Sequence, residues 1–371
     1  MSRLYFQACR FVLFFVAASA SFSGFYEKSH FCEAGVTGAY PPAEFEAMVD
    51  GTAHRPYVYR QMLPELASFS DRIFPASIKS RLYAHQGTGF AAYMQVMAES
   101  PTASNKIYFF RYLVIYTLTF LFALLAVYAM SWVCRALEMC EPATIFAPVI
   151  LILLIPYADS GGGNLYDFPE LAFFALAVWV ALRFDWWWII PVAALGAWNK
   201  ESFVLILLTL YPLIRRRHSR AASLLAVAVL CAVYLSVSVP IRMRFAHNPG
   251  STVEFHWMDQ LRFFRHPRTF IFSTEETYGV RSLYGYSLLP MTMVIWTVYR
   301  AWRHLPAAIR QHAKIAAIIN IPLYYLFCLP GELRDLSMLY ISLLLAIAVN
   351  INQWIGSAAG SQHHLGANQV V

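Results

Sequence analysis

Four short stretches hold most of the unusually placed polar residues of this chain. They are "DGTAHRPYVYRQMLPEL" at 50–66, "YADSGGGNLYDFPEL" at 157–171, "NKES" at 199–202 and "LPGELRDLSMLY" at 329–340. The "NKES" stretch interrupts a long apolar run, and ionisable groups within a membrane segment are functional candidates by default. In three of the four stretches, carboxylates lie close in sequence to Arg or Lys. This combination suits proton transfer beside a bound anion, above all a phosphate.

The first stretch combines Asp50 with Arg55 and Arg60. A guanidinium offers a fork of N–H donors that matches phosphate oxygens. Asp50 lies five residues before Arg55, so one loop could present both to the same ligand. The tyrosines nearby could stack on a sugar ring or belong to the interfacial aromatic belt, which is their commoner fate. Just upstream, Glu46 belongs to an E-x-E pattern that equally suits a surface helix starting after two prolines.

The "YDFPEL" turn offers two further acids. Asp167 and Glu170 are three residues apart, so a helix would place them on one face, where both could point into a cavity. Pro169 and Glu170 suit the first turn of that helix. For Asp159, earlier in the same stretch, we expect a flexible turn with a capping acid.

The "NKES" break has two interpretations. Glu201 beside Lys200 is expected to form an ion pair or to bind a ligand. The alternative is a helix start at the membrane interface, capped by Asn199 or Ser202. For Arg334, in the last stretch, the alternative to a binding role is a local pair with a neighbouring carboxylate.

The composition indicates what must position these residues. Of 371 residues, 59% are hydrophobic and 13% are charged, whereas soluble domains carry about 25% charged residues. Apolar runs of about 20 residues recur along the chain, which predicts an all-α, polytopic transmembrane bundle. The net charge of +7 favours anionic lipids or anionic ligands as partners and not nucleic acid, since no basic block is interleaved with aromatics. Six cysteines without a CxxC pair indicate neither a disulfide framework nor a zinc site.

We predict ten spans within a single integral membrane domain, 1–371. The spans cover 5–24, 107–134, 143–157, 167–183, 186–198, 202–214, 221–240, 282–301, 315–330 and 335–353. The fifth and sixth are short and could form a broken pair, and the first mimics a signal peptide. Basic connectors at 215–220 and 299–314 are expected in the cytoplasm, which predicts an N-in, C-in path. The expected location is a bacterial inner membrane.

This path places the long loops 25–106 and 241–281 on the outer face, together with all four polar stretches. In the first loop, apolar residues at helical spacing over about 57–74 predict an amphipathic helix on the membrane surface. The arginines of the second loop, among them Arg242, Arg244, Arg262, Arg265 and Arg268, indicate an anionic partner or lipid phosphates. The sequence therefore predicts a polar site near the outer interface, which the two loops could cover.

The motifs "RPYVYRQMLP", "YDFPEL", "NKES" and "GELRDL" together resemble those of bacterial multi-span proteins of the GT-C glycosyltransferase type, over most of the chain. The resemblance implies a GT-C-like fold and an extracytoplasmic active site. It implies transfer of a sugar from a polyprenyl-phosphate donor to a lipid, glycan or protein acceptor. It also implies a first-loop carboxylate that acts as base or binds a metal, so the need for a divalent cation stays open. This chain departs from the pattern because no DxD or ExD motif follows its first span.

On this interpretation, Asp50 is the predicted base, with Glu46 behind it and Glu201 as a third catalytic candidate. Asp167 and Glu170 would orient the cations or bind acceptor hydroxyls. The cations predicted to hold the donor phosphate are Arg55, Arg60, Lys200 and Arg334.

Two other functions stay open. A transporter or flippase for a lipid-linked saccharide could use the same outer cavity without breaking a bond. Paired broken helices would favour it, and the sequence shows one clear break, at 199–201. A non-catalytic assembly factor would bind another membrane protein through the outer loops, and would tolerate substitution of Asp50 and Glu201.

Overall fold

The computed structural model describes residues 3–28, 30–33, 43–85, 100–159 and 163–367. This part of the chain is mostly helical, as the hydropathy pattern predicts. The helices of the first half are α1 (Arg3–Tyr26), α2 (Phe45–Asp50), α3 (Met62–Ile73), α4 (Ala76–Ala84), α5 (Pro101–Ser104), α6 (Phe109–Ala136), α7 (Glu141–Ala158) and α8 (Asp167–Arg183). Those of the second half are α9 (Ile190–Asn199), α10 (Phe203–Thr209), α11 (Tyr211–Ile214), α12 (Arg220–Arg244), α13 (Trp257–Phe264), α14 (Pro267–Phe272), α15 (Leu288–Trp302), α16 (Ala307–Phe327) and α17 (Tyr340–Ala367). Short 3₁₀ segments cover Tyr57–Tyr59, Trp186–Ile189 and Leu333–Leu339.

Five helical segments in the described part of the chain are long and apolar enough to cross a bilayer. They are Leu4–Tyr26, Phe109–Ala136, Glu141–Ala158, Arg220–Arg244 and Leu333–Ile355. Each coincides with a span predicted from the sequence. A chain with such helices is a helical membrane protein, because a helix satisfies its own backbone hydrogen bonds inside lipid.

The other predicted spans are also helical, but they are shorter or more polar. α8 has 17 residues and is therefore about 25 Å long. The fifth and sixth predicted spans form a broken hairpin: the 3₁₀ turn Trp186–Ile189 and α9 run to Asn199, and α10 and α11 return from Phe203. α9 alone has 10 residues and a length of about 15 Å, well short of the bilayer core.

Side-chain contacts near the helix termini define two ends of the bundle. At one end, Lys28 after α1 donates to the carbonyl of Pro156 near the end of α7 (2.6 Å). We call this the Lys200 end, since Lys200 also lies there. At the opposite end, Arg135 of α6 pairs with Glu141 at the start of α7. Successive long helices therefore alternate in direction.

The core of the bundle is built from closely approaching helices with small residues. α6 packs along α8, α1 and α17 pack on α7, and α9 packs on α12. Ala123 and Ala126 of α6 and Ala172 and Ala175 of α8 are fully buried. Small side chains let helix backbones come close where the hydrophobic effect between helices is weak.

A β-hairpin in the second loop corrects the all-α prediction. Strand β1 (Thr274–Thr277) pairs antiparallel with β2 (Val280–Leu283). Tyr278 and Gly279 both have positive φ (58° and 70°), as a tight two-residue hairpin turn requires. The hairpin occupies the predicted start of the eighth span, so α15 begins at Leu288 instead of 282.

The predicted surface helix at 57–74 is also only partly correct. The structure has a 3₁₀ turn at Tyr57–Tyr59 followed by α3, and α3 packs against α6 and α9. Met62 and Leu63 of the apolar face are buried against the bundle, whereas Phe69 and Ile73 are exposed. The first part of this segment is therefore a cover on the bundle.

Candidate functional site

Nine ionisable side chains from four parts of the chain meet at the Lys200 end of the bundle. We call them the charge cluster: Arg60, Asp159, Asp167, Glu170, Lys200, Glu201, Glu332, Arg334 and Asp335. They come from the first loop, from the turn between α7 and α8 with the start of α8, from the break between α9 and α10, and from the segment before α17. Charges far apart in sequence thus converge in one place.

Arg60 and Glu201 connect the first loop to the broken hairpin. Arg60 Nε donates to Glu201 Oε2 (3.0 Å) and Arg60 Nη2 donates to Oε1 (2.6 Å). This is the fork geometry in which a guanidinium binds a carboxylate or a phosphate best. The guanidinium also lies over the rings of Tyr166 and Tyr57, 4.1 and 4.9 Å from their centroids. Burial opposes both charges, but their attraction outweighs it, so the pKa of Arg60 is raised and that of Glu201 is lowered.

Lys200 lies between three carboxylates. Its Nζ is 2.7 Å from Glu170 Oε2, 3.8 Å from Asp167 Oδ1 and 3.7 Å from Asp335 Oδ1. The residue is only 5% exposed. Burial by itself would lower the pKa of Lys200, but the surrounding acids outweigh that effect and raise it. Lys200 therefore stays charged inside the protein and does not extend to the membrane surface.

Arg334 is shared by three acids, one of which, Asp167, also faces Lys200. One guanidinium nitrogen, Nη2, is 3.0 Å from Glu332 Oε1, and Nη1 is 3.5 Å from Asp167 Oδ2 and 3.6 Å from Asp159 Oδ1. The side-chain amide of Asn164, with its oxygen turned toward Arg334, accepts from Nη1 (2.7 Å). The local Arg334–Glu332 pair predicted from the sequence is present, but it is one contact among several.

Asp159 is the most deeply buried acid of the cluster. It is 0% exposed, and neither carboxylate oxygen accepts a hydrogen bond from the residues that the structure describes. Burial raises the pKa of Asp159 from 3.8 to about 7, although the charge of Arg334 opposes the shift. The expected role as a capping acid in a flexible turn is wrong, because the side chain belongs to the charge cluster.

The charge cluster holds twice as many acids as cations. Its cations are Arg60, Lys200 and Arg334, and its carboxyl groups are Asp159, Asp167, Glu170, Glu201, Glu332 and Asp335. Full ionisation would leave a net charge of three negative units in a buried volume, which is costly. The surplus has to be balanced by bound protons or by a cationic group.

Local sequence explains why residues of the "NKES" break contact the start of α8. Lys200 is extended (φ −151°, ψ 135°), so the chain turns there, and Asn199 Nδ2 donates to the carbonyl of Tyr166 (2.9 Å). Gly196 faces the ring of Phe203, where an added Cβ would lie 2.4 Å from a ring carbon. A glycine is therefore needed for the two arms of the hairpin to fold together so closely.

The predicted caps of this break are not observed. Asn199 is the last residue of α9 and bonds to Tyr166, while Ser202 makes no capping hydrogen bond to α10. The Ser202 hydroxyl lies 3.4 Å from Glu170 Oε1 instead. At the start of α8, by contrast, the predicted first turn with Pro169 and Glu170 is confirmed.

Five of the six predicted substrate-binding residues belong to the cluster, together with Glu201. The five are Arg60, Asp167, Glu170, Lys200 and Arg334. Asp50, Glu46 and Arg55 are placed elsewhere. Asp50 accepts from the Tyr108 hydroxyl (2.6 Å) and pairs with Arg111 (2.9 Å). Glu46 bonds to Thr102, and Arg55 Nη2 donates to the carbonyl of Gly250 (2.6 Å).

Asp50 and Arg55 therefore do not face one ligand, because the chain changes direction between them. Gly51 follows α2 with φ 72°, a left-handed conformation that ends a helix and turns the chain. Asp50 is left facing the start of α6, whereas Arg55 faces the second loop through its bridge to Gly250. The single-loop presentation expected from their spacing is wrong.

One buried acid of the first loop had no distinguishing signal in the sequence. Glu33 is 0% exposed and accepts from the Ser100 hydroxyl (2.7 Å), the Thr102 amide (3.2 Å) and the Tyr112 hydroxyl. The preceding residue, Cys32, has its sulfur 3.4 Å from the side-chain amide of Asn164. Glu33 thus fixes the first loop next to the cluster, and only the fold distinguishes it from the other acids of the loop.

No protein-family model, curated protein or solved structure matches this chain. Among the described residues, no group of three or more His, Cys, Asp or Glu side chains is arranged to hold a metal ion. What the fold and the site define is a helical membrane protein with a buried, acid-rich charge cluster at one end of the bundle.

Proposed function

We propose that this protein is a GT-C-like membrane glycosyltransferase that transfers a sugar from a polyprenyl-phosphate donor to a lipid, glycan or protein acceptor. The charge cluster is its site, on the extracytoplasmic face of a bacterial inner membrane. The observation that supports this most is the bidentate Arg60–Glu201 pair. It keeps a guanidinium fork in place under a covering loop, at the end of a bundle of membrane helices.

In this proposal the donor phosphate replaces Glu201 on Arg60. The guanidinium keeps its position when the carboxylate leaves, because the rings of Tyr57 and Tyr166 hold it on its faces. A phosphate accepts the same two parallel hydrogen bonds as the carboxylate does. Lys200, adjacent to Glu201 in the chain, is the further cation that we assign to the phosphate charge.

Glu201, once displaced, is the proposed general base. It takes the proton of the acceptor hydroxyl as the acceptor oxygen bonds to the anomeric carbon of the sugar. The bond between that carbon and the phosphate oxygen breaks, and the phosphate leaves with the electron pair, stabilised by Arg60. Glu170, with hydrogen-bonding contacts to Ser202 and Ser337, orients Lys200.

The proposed topology has ten spans, with both termini in the cytoplasm. The alternating direction of the long helices supports it. The basic residues 215–217 then lie opposite the cluster, in agreement with the cytoplasmic excess of Arg and Lys. The broken hairpin enters from the cytoplasmic side and turns back at the cluster.

The test is sugar transfer by the purified protein from a polyprenyl-phosphate sugar. We expect the wild type to transfer and the Glu201→Gln and Arg60→Lys variants to lose at least about 100-fold in rate, a typical loss for a base or an oxyanion donor. Asp71→Asn is the matched control, since Asp71 pairs with Lys79 in a partly exposed position on the same loop. Full activity of both cluster variants would refute this assignment of the site.

A transporter or flippase of a lipid-linked saccharide is the second candidate, favoured by one specific observation. The cluster lies at two broken elements: the 199–202 break and the 3₁₀ segment before α17, where Leu336 leaves helical geometry (φ −81°, ψ 24°). Transporters bind substrates at paired discontinuous helices. Movement of a labelled lipid-linked saccharide across a reconstituted bilayer, without cleavage, would favour this alternative.

A further inference from the structure

Asp159 is held in the cluster by its own backbone. Its backbone pairs with that of Glu332 in an antiparallel bridge, and its carbonyl accepts a hydrogen bond from Lys28 Nζ (2.9 Å). The same ammonium group is 2.7 Å from Glu275 of β1. Lys28 and the Glu332 segment thus fix the backbone of this residue immediately after α7, where its side chain is fully buried.

The carboxyl group of Asp159 faces both charge signs. From the segment before α17 it faces Arg334 and Glu332, and from α8 it faces Asp167. Two further neighbours also influence it, namely Lys28, whose ammonium is already bonded to Glu275, and Tyr340 at the start of α17.

The nearest cation cannot neutralise all three acids around it. Arg334 lies 3.0 Å from Glu332 and 3.5 Å from Asp167, both closer than its 3.6 Å contact with Asp159. Asp159 is also the one of these three that is fully buried, with no hydrogen-bond donor among the described residues for either oxygen. An ionised carboxylate in such a place lacks both solvent and hydrogen-bond donors, and its one ion-pair contact is the shared Arg334.

We propose that Asp159 is a proton-binding site, whose carboxyl group holds a proton in the closed cluster and exchanges it with the medium at the Lys200 end. Burial, with the opposing charge of Arg334, raises the pKa of this group to about 7, so the exchange falls in the neutral range. When the proton leaves, Asp159 competes with Asp167 and Glu332 for Arg334. The occupancy of the proton site therefore sets how firmly Arg334 holds α8 to the segment before α17.

This inference does not depend on the transferase proposal, since it concerns the resting protein without substrate. The probe is the proton itself, detected by infrared difference spectroscopy of the full-length protein in lipid nanodiscs between about pH 5 and about pH 9. Labelling aspartate with ¹³C at the side-chain carboxyl shifts the C=O stretch of a protonated aspartic acid and leaves that of glutamic acid unchanged.

We expect an isotope-shifted band of protonated aspartic acid that disappears as the pH rises through about 7. Asp159→Glu should keep an acid at this position but move the band to the unlabelled frequency. Asp159→Asn should remove it, and Asp71→Asn should leave it unchanged. Since Asp159→Glu retains the charge type, it decides the matter even if the asparagine variant fails to fold. The absence of a labelled band in the wild type, or its persistence in Asp159→Glu, would overturn the proposal.

Discussion

The Arg60–Glu201 pair should make a large and strongly non-additive contribution to stability. It is one of the contacts that join the first loop to the broken hairpin, and its side chains are 9% and 19% exposed. Replacing one partner leaves the other as a buried charge without its counterion, whereas replacing both removes the problem. The comparison of single and double variants therefore measures the interaction itself.

The expected magnitudes follow from the burial of the pair. Arg60→Met and Glu201→Met should each lower the free energy of unfolding by about 3 kcal/mol, the lower part of the range for breaking a buried pair, because Glu201 keeps some exposure. If the effects were independent, the double variant would lose about 6 kcal/mol. We expect it to lose only about 3 kcal/mol, which corresponds to a coupling of about 3 kcal/mol.

The assay is reversible unfolding in mixed micelles with an increasing fraction of denaturing detergent, followed by tryptophan fluorescence. The partly exposed Asp71–Lys79 pair of the same loop, with side chains 34% and 27% exposed, is the control, with an expected coupling below about 1 kcal/mol. Additive losses at Arg60 and Glu201, with a coupling no larger than that of the control, would refute the buried-pair reasoning.

Three further results are expected. Asp159 should contribute a fall in wild-type stability as the pH rises between about 4 and about 7, because its folded pKa of about 7 lets the folded chain bind more protons than the unfolded chain in that window. This contribution should approach about 1.4 kcal/mol per pH unit and should be absent from Asp159→Asn. Gly196→Ala should lower the free energy of unfolding by about 1–3 kcal/mol, because the added methyl group overpacks against Phe203. An unchanged free energy of unfolding would show that the hairpin arms are not this close. Lys28→Met should speed amide hydrogen exchange in the 274–283 hairpin, because the Lys28 ammonium group binds Glu275 and two backbone carbonyls at the end of α7. Glu275→Gln should have a smaller effect, since the glutamine side chain still accepts a hydrogen bond from Lys28.

The membrane helices were the most predictable part of this protein. Their signal is the length of the apolar run, which does not depend on the rest of the fold. The helix predicted at 167–183 coincides with α8 because the apolar run 171–182 is uninterrupted, with Asp167 and Glu170 before it and Arg183 after it. The 274–283 hairpin was missed because its strands carry Glu275 and Glu276, and its turn is "YG" instead of a stronger hairpin signal.

The sequence predicted most residues of the candidate site, but not which acid pairs with which cation. Lys200 and Glu201 stood out because charges in an apolar run need a local explanation. Their adjacency suggested that they pair with each other, yet Lys200 pairs with Glu170 and Glu201 with Arg60. Which acid meets which cation depends on how four separate segments pack. The role of Asp159 was missed for the same reason, since burial of a single turn residue is a property of the whole fold.

The measurement that tests the central claim most directly is the sidedness of the chain around the cluster. The six native cysteines are first replaced, and one cysteine is then introduced at a time. The two positions are Thr52, which is exposed beside the C-terminus of α12, and Arg216, which is exposed beside the N-terminus of α12. Each variant is labelled in intact cells with a membrane-impermeant thiol reagent. We predict that Thr52→Cys reacts from outside and that Arg216→Cys reacts only after the membrane is opened. Labelling of both from the same side, or of Arg216→Cys alone from outside, would contradict an extracytoplasmic charge cluster.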